Sequence, residues 1–205
     1  MLFSSFALQL QLYTKRNMGF SKAMYLGSMI EMRTTTKGMG LFVPGGHVTG
    51  KWVLLGPFVG TLMATSSVKE KEKEYTLMAT PDGGWSLYAP PDSCVLARIN
   101  EPSQTEVANC FLVCFAVVDA TGAIEHEGDD KYLLWVVTSQ EVRGWAELTM
   151  RYNNTHYSRN YEPGEYPRGL PPNAADMRAL VRKYCTQTGI NYSDLANAHG
   201  AMDSD

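Results

Sequence analysis

The chain predicts a mainly β fold with one C-terminal helix. Three observations carry this expectation. From Ile30 onward the apolar residues come in short runs punctuated by glycine and proline, the mark of short strands and tight turns. Two of those runs, Cys110–Val118 and Tyr132–Thr138, are apolar at successive positions, as strands covered on both faces are. One stretch only, after Asn173, carries a convincing helical period.

The elements follow in order. Residues 1–27 fit a short helix or an irregular arm. "IEMRTT", from Ile30, reads as a strand. "KGMGLFVPGGHVTGK", Lys37 to Lys51, is turn-rich. "WVLLGPFVGTLM", from Trp52, gives two short strands hinged at Gly56-Pro57. "KEKEKE", Lys69 to Glu74, alternates in sign and predicts a solvated loop or a strand edge blunted by charge. "EYTLMA" and "WSLYA" flank Pro81-Asp82-Gly83-Gly84, which is hairpin chemistry. Cys110–Val118 and Tyr132–Thr138 then read as central strands, joined by the acidic exposed loop "DATGAIEHEGDD" with His126 at its surface. After Tyr152 comes an aromatic, proline- and glycine-rich stretch without a period. Asn173 can cap the helix, with Asp176 inside its first turn. Met177, Leu180, Val181 and Tyr184 share one face, and Gly189 stops it. The expected division is therefore an N-terminal arm over 1–27, a β domain over 28–153, and a C-terminal segment with its helix over 154–205.

Composition narrows the function classes. The chain has 205 residues, 44% hydrophobic and 19% charged, which suits one globular domain with a sizeable core. Its net charge of -3 predicts no direct binding to nucleic acid and does not repel a basic protein segment. The four cysteines form no C-x-x-C pair, so no metal site is expected. Cys110 and Cys114 on one strand would lie roughly 13 Å apart and cannot bridge each other. Buried free thiols in a reducing compartment are the expectation.

The start, "MLFSSFALQLQLYTKR", lacks the basic region and cleavage site of a signal peptide. Trp52–Val68 is uncharged, but Gly56, Pro57 and Gly60 interrupt it, so no membrane association is expected. The expected location is intracellular, nucleus or cytoplasm, where the triplets at Asn153 and Asn191 have no glycosylation role.

Three segments carry chemistry. "TKGMGLFV", Thr36 to Val43, has two glycines spaced so that backbone can approach a ligand closely or take a positive φ. "ARINEPSQTEVANCFL", from Ala97, sets Asn100 and Asn109 beside an apolar strand, and a buried amide must find partners. Those partners are either backbone or a polar ligand. "VTSQEVRGWAELTMRYN", Val137 to Asn153, ends a strand, turns at Gly144 and leads through Glu147-Leu148-Thr149 to Tyr152.

In this order the segments resemble the SET domain, the fold of most protein lysine methyltransferases. "KGMGLFV" is similar to that family's K-G-x-G-L-F glycine motif. Phe58 and Gly60 match an aromatic-x-Gly that follows it. Arg98, Ile99, Asn100 and Asn109 match the R-F-I-N-H-S-C-x-P-N segment. Glu147, Leu148, Thr149 and Tyr152 match the closing G-E-E-L-T-Y-D-Y segment. The resemblance covers about Ile30 to Asn153. It implies a SET-type β-clip fold of several small sheets with a pseudoknot-like crossing. It also implies S-adenosylmethionine as cofactor and a lysine-bearing protein or peptide, a histone tail among the options, as substrate.

On this resemblance Tyr152 is the catalytic tyrosine. Lys37, Gly38, Met39, Gly40, Asn100, Glu101 and Tyr152 are the cofactor-binding residues. The chain departs from the family pattern in four ways. Glu101-Pro102 stands where His-Ser is usual, and the loop Ser103–Ala108 is long. Met150-Arg151 replaces an aromatic and an acid. No cysteine-rich segment follows to close the lysine channel, leaving Tyr157, Tyr161, Tyr166 and the helix to do so. The departures support an alternative, a catalytically weak or inactive SET-like module acting as a protein-interaction domain. An unrelated β-rich interaction protein is a third possibility.

Overall fold

The computed structural model describes residues 22–25, 28–58, 60–79, 83–91, 94–116, 132–152 and 161–188. Its strands in chain order are β1 (Lys22–Tyr25), β2 (Ser28–Thr35), β3 (Gly38–Phe42), β4 (Val48–Thr49), β5 (Leu54–Pro57) and β6 (Thr61–Ala64). There follow β7 (Thr76–Met78), β8 (Trp85–Tyr88), β9 (Cys110–Ala116), β10 (Tyr132–Thr138) and β11 (Val142–Arg143), and then helix α1 (Ala174–Thr188). They assemble into small sheets in the orders β1-β2-β3, β5-β10-β9, β4-β11 and β6-β8-β7. This is the mainly β architecture with a C-terminal helix that the sequence predicts.

β10 is the centre of the core. Leu134, Trp135, Val136 and Val137 are all buried, so both faces of the strand are covered. α1 packs on this layer, and Tyr184 meets the Trp135 ring edge-on at 5.7 Å. Asn173 caps the helix, its Oδ1 accepting from the N–H groups of Ala175 (2.9 Å) and Asp176 (3.0 Å). Met177, Val181 and Tyr184 are buried and Leu180 packs against the core, which is the face the periodicity predicts.

Several local expectations are corrected. Lys22–Tyr25 is neither helix nor irregular arm; it is a strand paired antiparallel with β2. β9 is not central: among the described residues it is the outer strand of its sheet, paired along its length with β10 and bridged at Cys110 to Met150, and Phe111 to Phe115 are half-buried. The break between β5 and β6 falls at Phe58–Gly60, whereas Gly56 and Pro57 lie inside β5. Proline is tolerated there because β5 is an edge strand. Glu70–Tyr75 is a 3-10 helix rather than loop or strand edge. Its start is fixed by Glu72, whose carboxylate accepts from the Lys69 N–H at 3.0 Å. β7 and β8 pair antiparallel as expected. Pro81-Asp82 of their connection lies outside the described residues, as do the acidic loop with His126, Asn153, Tyr157, Gly189 and Asn191.

Candidate active site

The hairpin of β2 and β3 turns at Thr36-Lys37. Thr35 Oγ1 accepts from the Lys37 N–H at 3.0 Å, and Gly38 follows with φ of 106°. Only glycine adopts that backbone without strain. The turn points Lys37 across to the second segment, where its Nζ donates to the Glu101 carbonyl at 2.7 Å.

The second and third segments cross. The N–H of Met150 donates to the Asn100 carbonyl at 3.0 Å. On the other side, the N–H groups of Asn109 (3.1 Å) and Cys110 (2.9 Å) donate to the Thr149 carbonyl. The closing segment is therefore laid between the two limbs of the 100–110 loop, with parallel bridges Asn100–Thr149 and Cys110–Met150. Asn109 fixes it there: its Nδ2 donates to the Glu147 carbonyl at 2.7 Å, and its Oδ1 accepts from the Thr149 N–H at 2.9 Å. The partners of this amide are backbone, the first of the two options its sequence left open.

Asn100 behaves differently. Its Nδ2 donates to Glu147 Oε1 at 2.7 Å and lies 3.4 Å from the Met39 carbonyl. That leaves Oδ1 as an acceptor at the cavity wall. Gly40 stands directly behind this pair. A Cβ there would lie 2.5 Å from Glu147 Oε1 and 2.9 Å from Asn100 Nδ2. Tyr152 donates its phenol proton to the Ile99 carbonyl at 2.7 Å, one residue from Asn100.

These groups face one cavity of about 620 Å³. Of the residues expected to bind a cofactor, Lys37, Gly38, Met39, Asn100, Glu101 and Tyr152 line it; Gly40 is the exception and sits behind the wall. Met150 lines it too. The charged residues on its lining are Lys37, Glu74, Arg98, Glu101 and Glu162.

Sequence reasoning did not find Glu74, Tyr75, Leu77 or Glu162 on this wall, because nothing in a 3-10 helix or an aperiodic tail marks where it packs. It also left Glu147 without a role, although Glu147 is the group that orients Asn100. Glu106 stands beside Lys37 without lining the cavity. The backbone N–H of Ser103, 2.7 Å away, holds its carboxyl below the usual range, and Lys37 at 3.8 Å adds to this.

Glu101 and Arg151, which depart from the family pattern, stand together. Glu101 is buried, its Oε1 accepting from the Tyr152 N–H at 2.9 Å and lying 3.7 Å from Arg151 Nε. The two departures are one charge-paired unit.

No protein-family model matches the chain, and no curated protein matches it. Solved structures do. The fold is similar to KRYPTONITE in complex with mCHH DNA, an H3(1-15) peptide and SAH, at 15% identity and a TM-score of 0.45. A second KRYPTONITE complex, with mCHG DNA and SAH, matches at 15% identity and 0.46. Each match covers 58% of this chain and spans 22% of KRYPTONITE. A Plasmodium falciparum protein named as a candidate histone methyltransferase matches at 10% identity and 0.40, over 58% of this chain and 89% of that one. The DNA, peptide and SAH belong to those complexes, and the expectation of no nucleic-acid partner draws no support from them.

Proposed function

We propose that this chain is an S-adenosylmethionine-dependent methyltransferase acting on lysine in a protein or peptide, with a histone-type tail as the first substrate to try. One observation carries the reading. Three segments far apart in sequence, Lys37–Met39, Asn100–Glu101 and Tyr152, meet on a single cavity of about 620 Å³. That volume lies within the range of small-molecule sites, roughly 300–1,000 Å³.

The residues present suit the cofactor. Asn100, with its Nδ2 committed to Glu147, offers Oδ1 to an amino group. The turn at Gly38-Met39 offers a wall with no side chain at Gly38. When bound, the cofactor supplies an electrophilic methyl on a positively charged sulfur. The protein's contribution is alignment and exclusion of water. A lysine amine has a reference pKa of about 10.4 and reacts as the neutral amine, so a cavity that strips water favours the reactive form. Tyr152, its O–H donating to the Ile99 carbonyl, presents an oxygen that accepts from the amine N–H and orients the lone pair. Such alignment is worth several kcal/mol of barrier.

A second reading keeps the cavity without the chemistry: a protein-interaction module, favoured by the acid at Glu101 and by Pro102, which has no N–H to donate. Calorimetry with S-adenosylmethionine and transfer of labelled methyl to lysine-rich protein separate the two. Binding with transfer supports the enzyme, and binding without transfer supports the module. Absence of both removes the first reading altogether.

A further inference from the structure

The stretch from Tyr161 to Tyr166 belongs to none of the matching motifs, yet Tyr161 and Glu162 line the cavity. Of its residues only Gly164 is buried, and Tyr161 and Tyr166 are exposed. No large side chain therefore anchors it in the core. Its backbone is sewn instead onto the 100–110 loop. The N–H of Gly164 donates to the Pro102 carbonyl at 2.9 Å, and that of Glu165 to the Glu106 carbonyl at 2.9 Å. In return the Ala108 N–H donates to the Glu165 carbonyl at 3.0 Å. The seam closes this tightly because residue 164 has no side chain. A Cβ there would lie 2.2 Å from the Glu106 carbonyl oxygen and 2.3 Å from that of Ser103.

Two side chains fasten this stretch. Arg151 Nη1 donates to the carbonyls of Gly164 at 2.6 Å and Pro163 at 3.3 Å, and its guanidinium lies 4.8 Å from the Tyr166 ring centre. Glu101 Oε2 accepts from the Tyr161 hydroxyl at 2.9 Å. The two side chains meet, with Arg151 Nε 3.7 Å from Glu101 Oε1, and they are 20% and 1% exposed. A carboxylate this deep needs its cation, so removing the guanidinium loosens both attachments at once. A segment that buries little apolar surface also opens locally far more readily than a core strand.

We propose that the Glu101–Arg151 ion pair is the clasp of a strap formed by residues 161–166, and that opening of this strap sets how fast a small molecule enters and leaves the cavity. Arg151 is a positioning residue: it does not line the cavity and acts through the strap. The sequence already leads one to expect closure by the C-terminal segment; new here is the pair that fastens it. The inference rests on the methyltransferase reading for the identity of the small molecule, S-adenosylmethionine.

The test uses the full chain and two variants. Arg151→Met removes the guanidinium and keeps a long side chain. Gly164→Ala pries the strap from the 100–110 loop without touching the ion pair, and it carries the test if Arg151→Met does not fold. Surface plasmon resonance gives the on-rate and off-rate of S-adenosylmethionine. Hydrogen exchange read by NMR follows the Gly164, Glu165 and Ala108 amides of the seam beside the Asn109 and Cys110 amides of the crossing. In both variants the two rates are expected to rise together by about tenfold, the scale of one charge-assisted hydrogen bond, with Kd held within about threefold. The seam amides should exchange about tenfold faster and the crossing amides at the wild-type rate. A merely structural role would raise the off-rate alone and speed exchange at seam and crossing alike. That result overturns the inference, as does an unchanged on-rate with unchanged seam amides; in either case binding by the wild type leaves the methyltransferase reading standing. If the wild type binds no S-adenosylmethionine, that reading falls and the amides decide the clasp: faster exchange confined to the seam supports it, and any other pattern overturns it.

Discussion

Asn100 donates to Glu147 Oε1 at 2.7 Å, and the space that lets them meet is the missing side chain of Gly40. A Cβ at residue 40 would lie 2.5 Å from that carboxylate oxygen. Gly40→Ala must therefore push Asn100 or Glu147 out of place. We expect S-adenosylmethionine affinity to fall at least about tenfold, the loss of one charge-assisted hydrogen bond. Gly50→Ala is the control, because its Cβ would meet only Val53 Cγ2 at 3.8 Å, an ordinary contact. Calorimetry on the two variants checks the contrast.

Tyr152→Phe removes the phenol oxygen and its bond to Ile99 but keeps the ring. Methyl transfer is expected to fall by about a hundredfold, within the range for a group that positions the reacting atoms. Cofactor affinity should hold within about threefold, and stability should drop by about 1 kcal/mol for one lost hydrogen bond. An active Tyr152→Phe enzyme would remove Tyr152 from the chemistry.

Asn109 ties the closing segment through a donor and an acceptor at once. Asn109→Asp keeps the acceptor for Thr149 but turns an oxygen towards the Glu147 carbonyl. Urea unfolding should show a loss of about 2–4 kcal/mol, the cost of leaving buried polar groups badly paired. Asn109→Asp unfolding like wild type would mean that the crossing does not depend on this amide.

Alkaline pH should destabilise the fold. Burial pushes the Cys114 thiol up to about 11, raises that of Cys110 further, and raises the Tyr184 phenol as well. Groups whose folded pKa is raised bind more protons folded than unfolded at high pH. Their contribution is complete below the unfolded values, near 9.0 for the thiols and 10.0 for the phenol, and is lost as pH climbs above them. Urea midpoints should fall steadily above about pH 9. Cys110→Ala, compared with wild type at each pH, should flatten the decline.

Tyr184 is fully buried and its hydroxyl has no hydrogen-bond partner among the described residues. Tyr184→Phe keeps the edge-on contact with Trp135 and removes an unpaired polar group. It should raise stability by about 1 kcal/mol, read as a higher melting temperature. A drop instead would mean that the hydroxyl has a partner in the folded protein.

What was legible in the sequence is what residue chemistry announces locally. A glycine-x-glycine turn, two amides at a strand entrance and a tyrosine after Glu-Leu-Thr are each ordinary alone; in order they carry the SET-domain resemblance, and six of the seven residues it singles out for the cofactor line the cavity. α1 was legible because Asn173 and a single apolar face speak for themselves. What failed depended on distant partners. Cys110–Ala116 looks like a central strand by composition, but strand order is set by pairing, and among the described residues it stands at the edge of its sheet. "KEKEKE" alternates like a strand edge, and the choice went to a capped 3-10 turn through the Lys69–Glu72 contact. Gly56-Pro57 looks like a hinge because its sequence does not disclose that β5 pairs along one side only. Glu101 and Arg151 read as separate departures because their contact is visible only in space.

The closing segment held between both limbs of the 100–110 loop has a kinetic consequence. Neither limb can be satisfied by neighbours in sequence, so this part of the molecule must pay its loop-closure entropy before any contact rewards it. It should be among the late regions to assemble during refolding. The Met150 and Cys110 amides, one on each flank of the crossing, should then exchange with solvent through a shared opening and at similar rates.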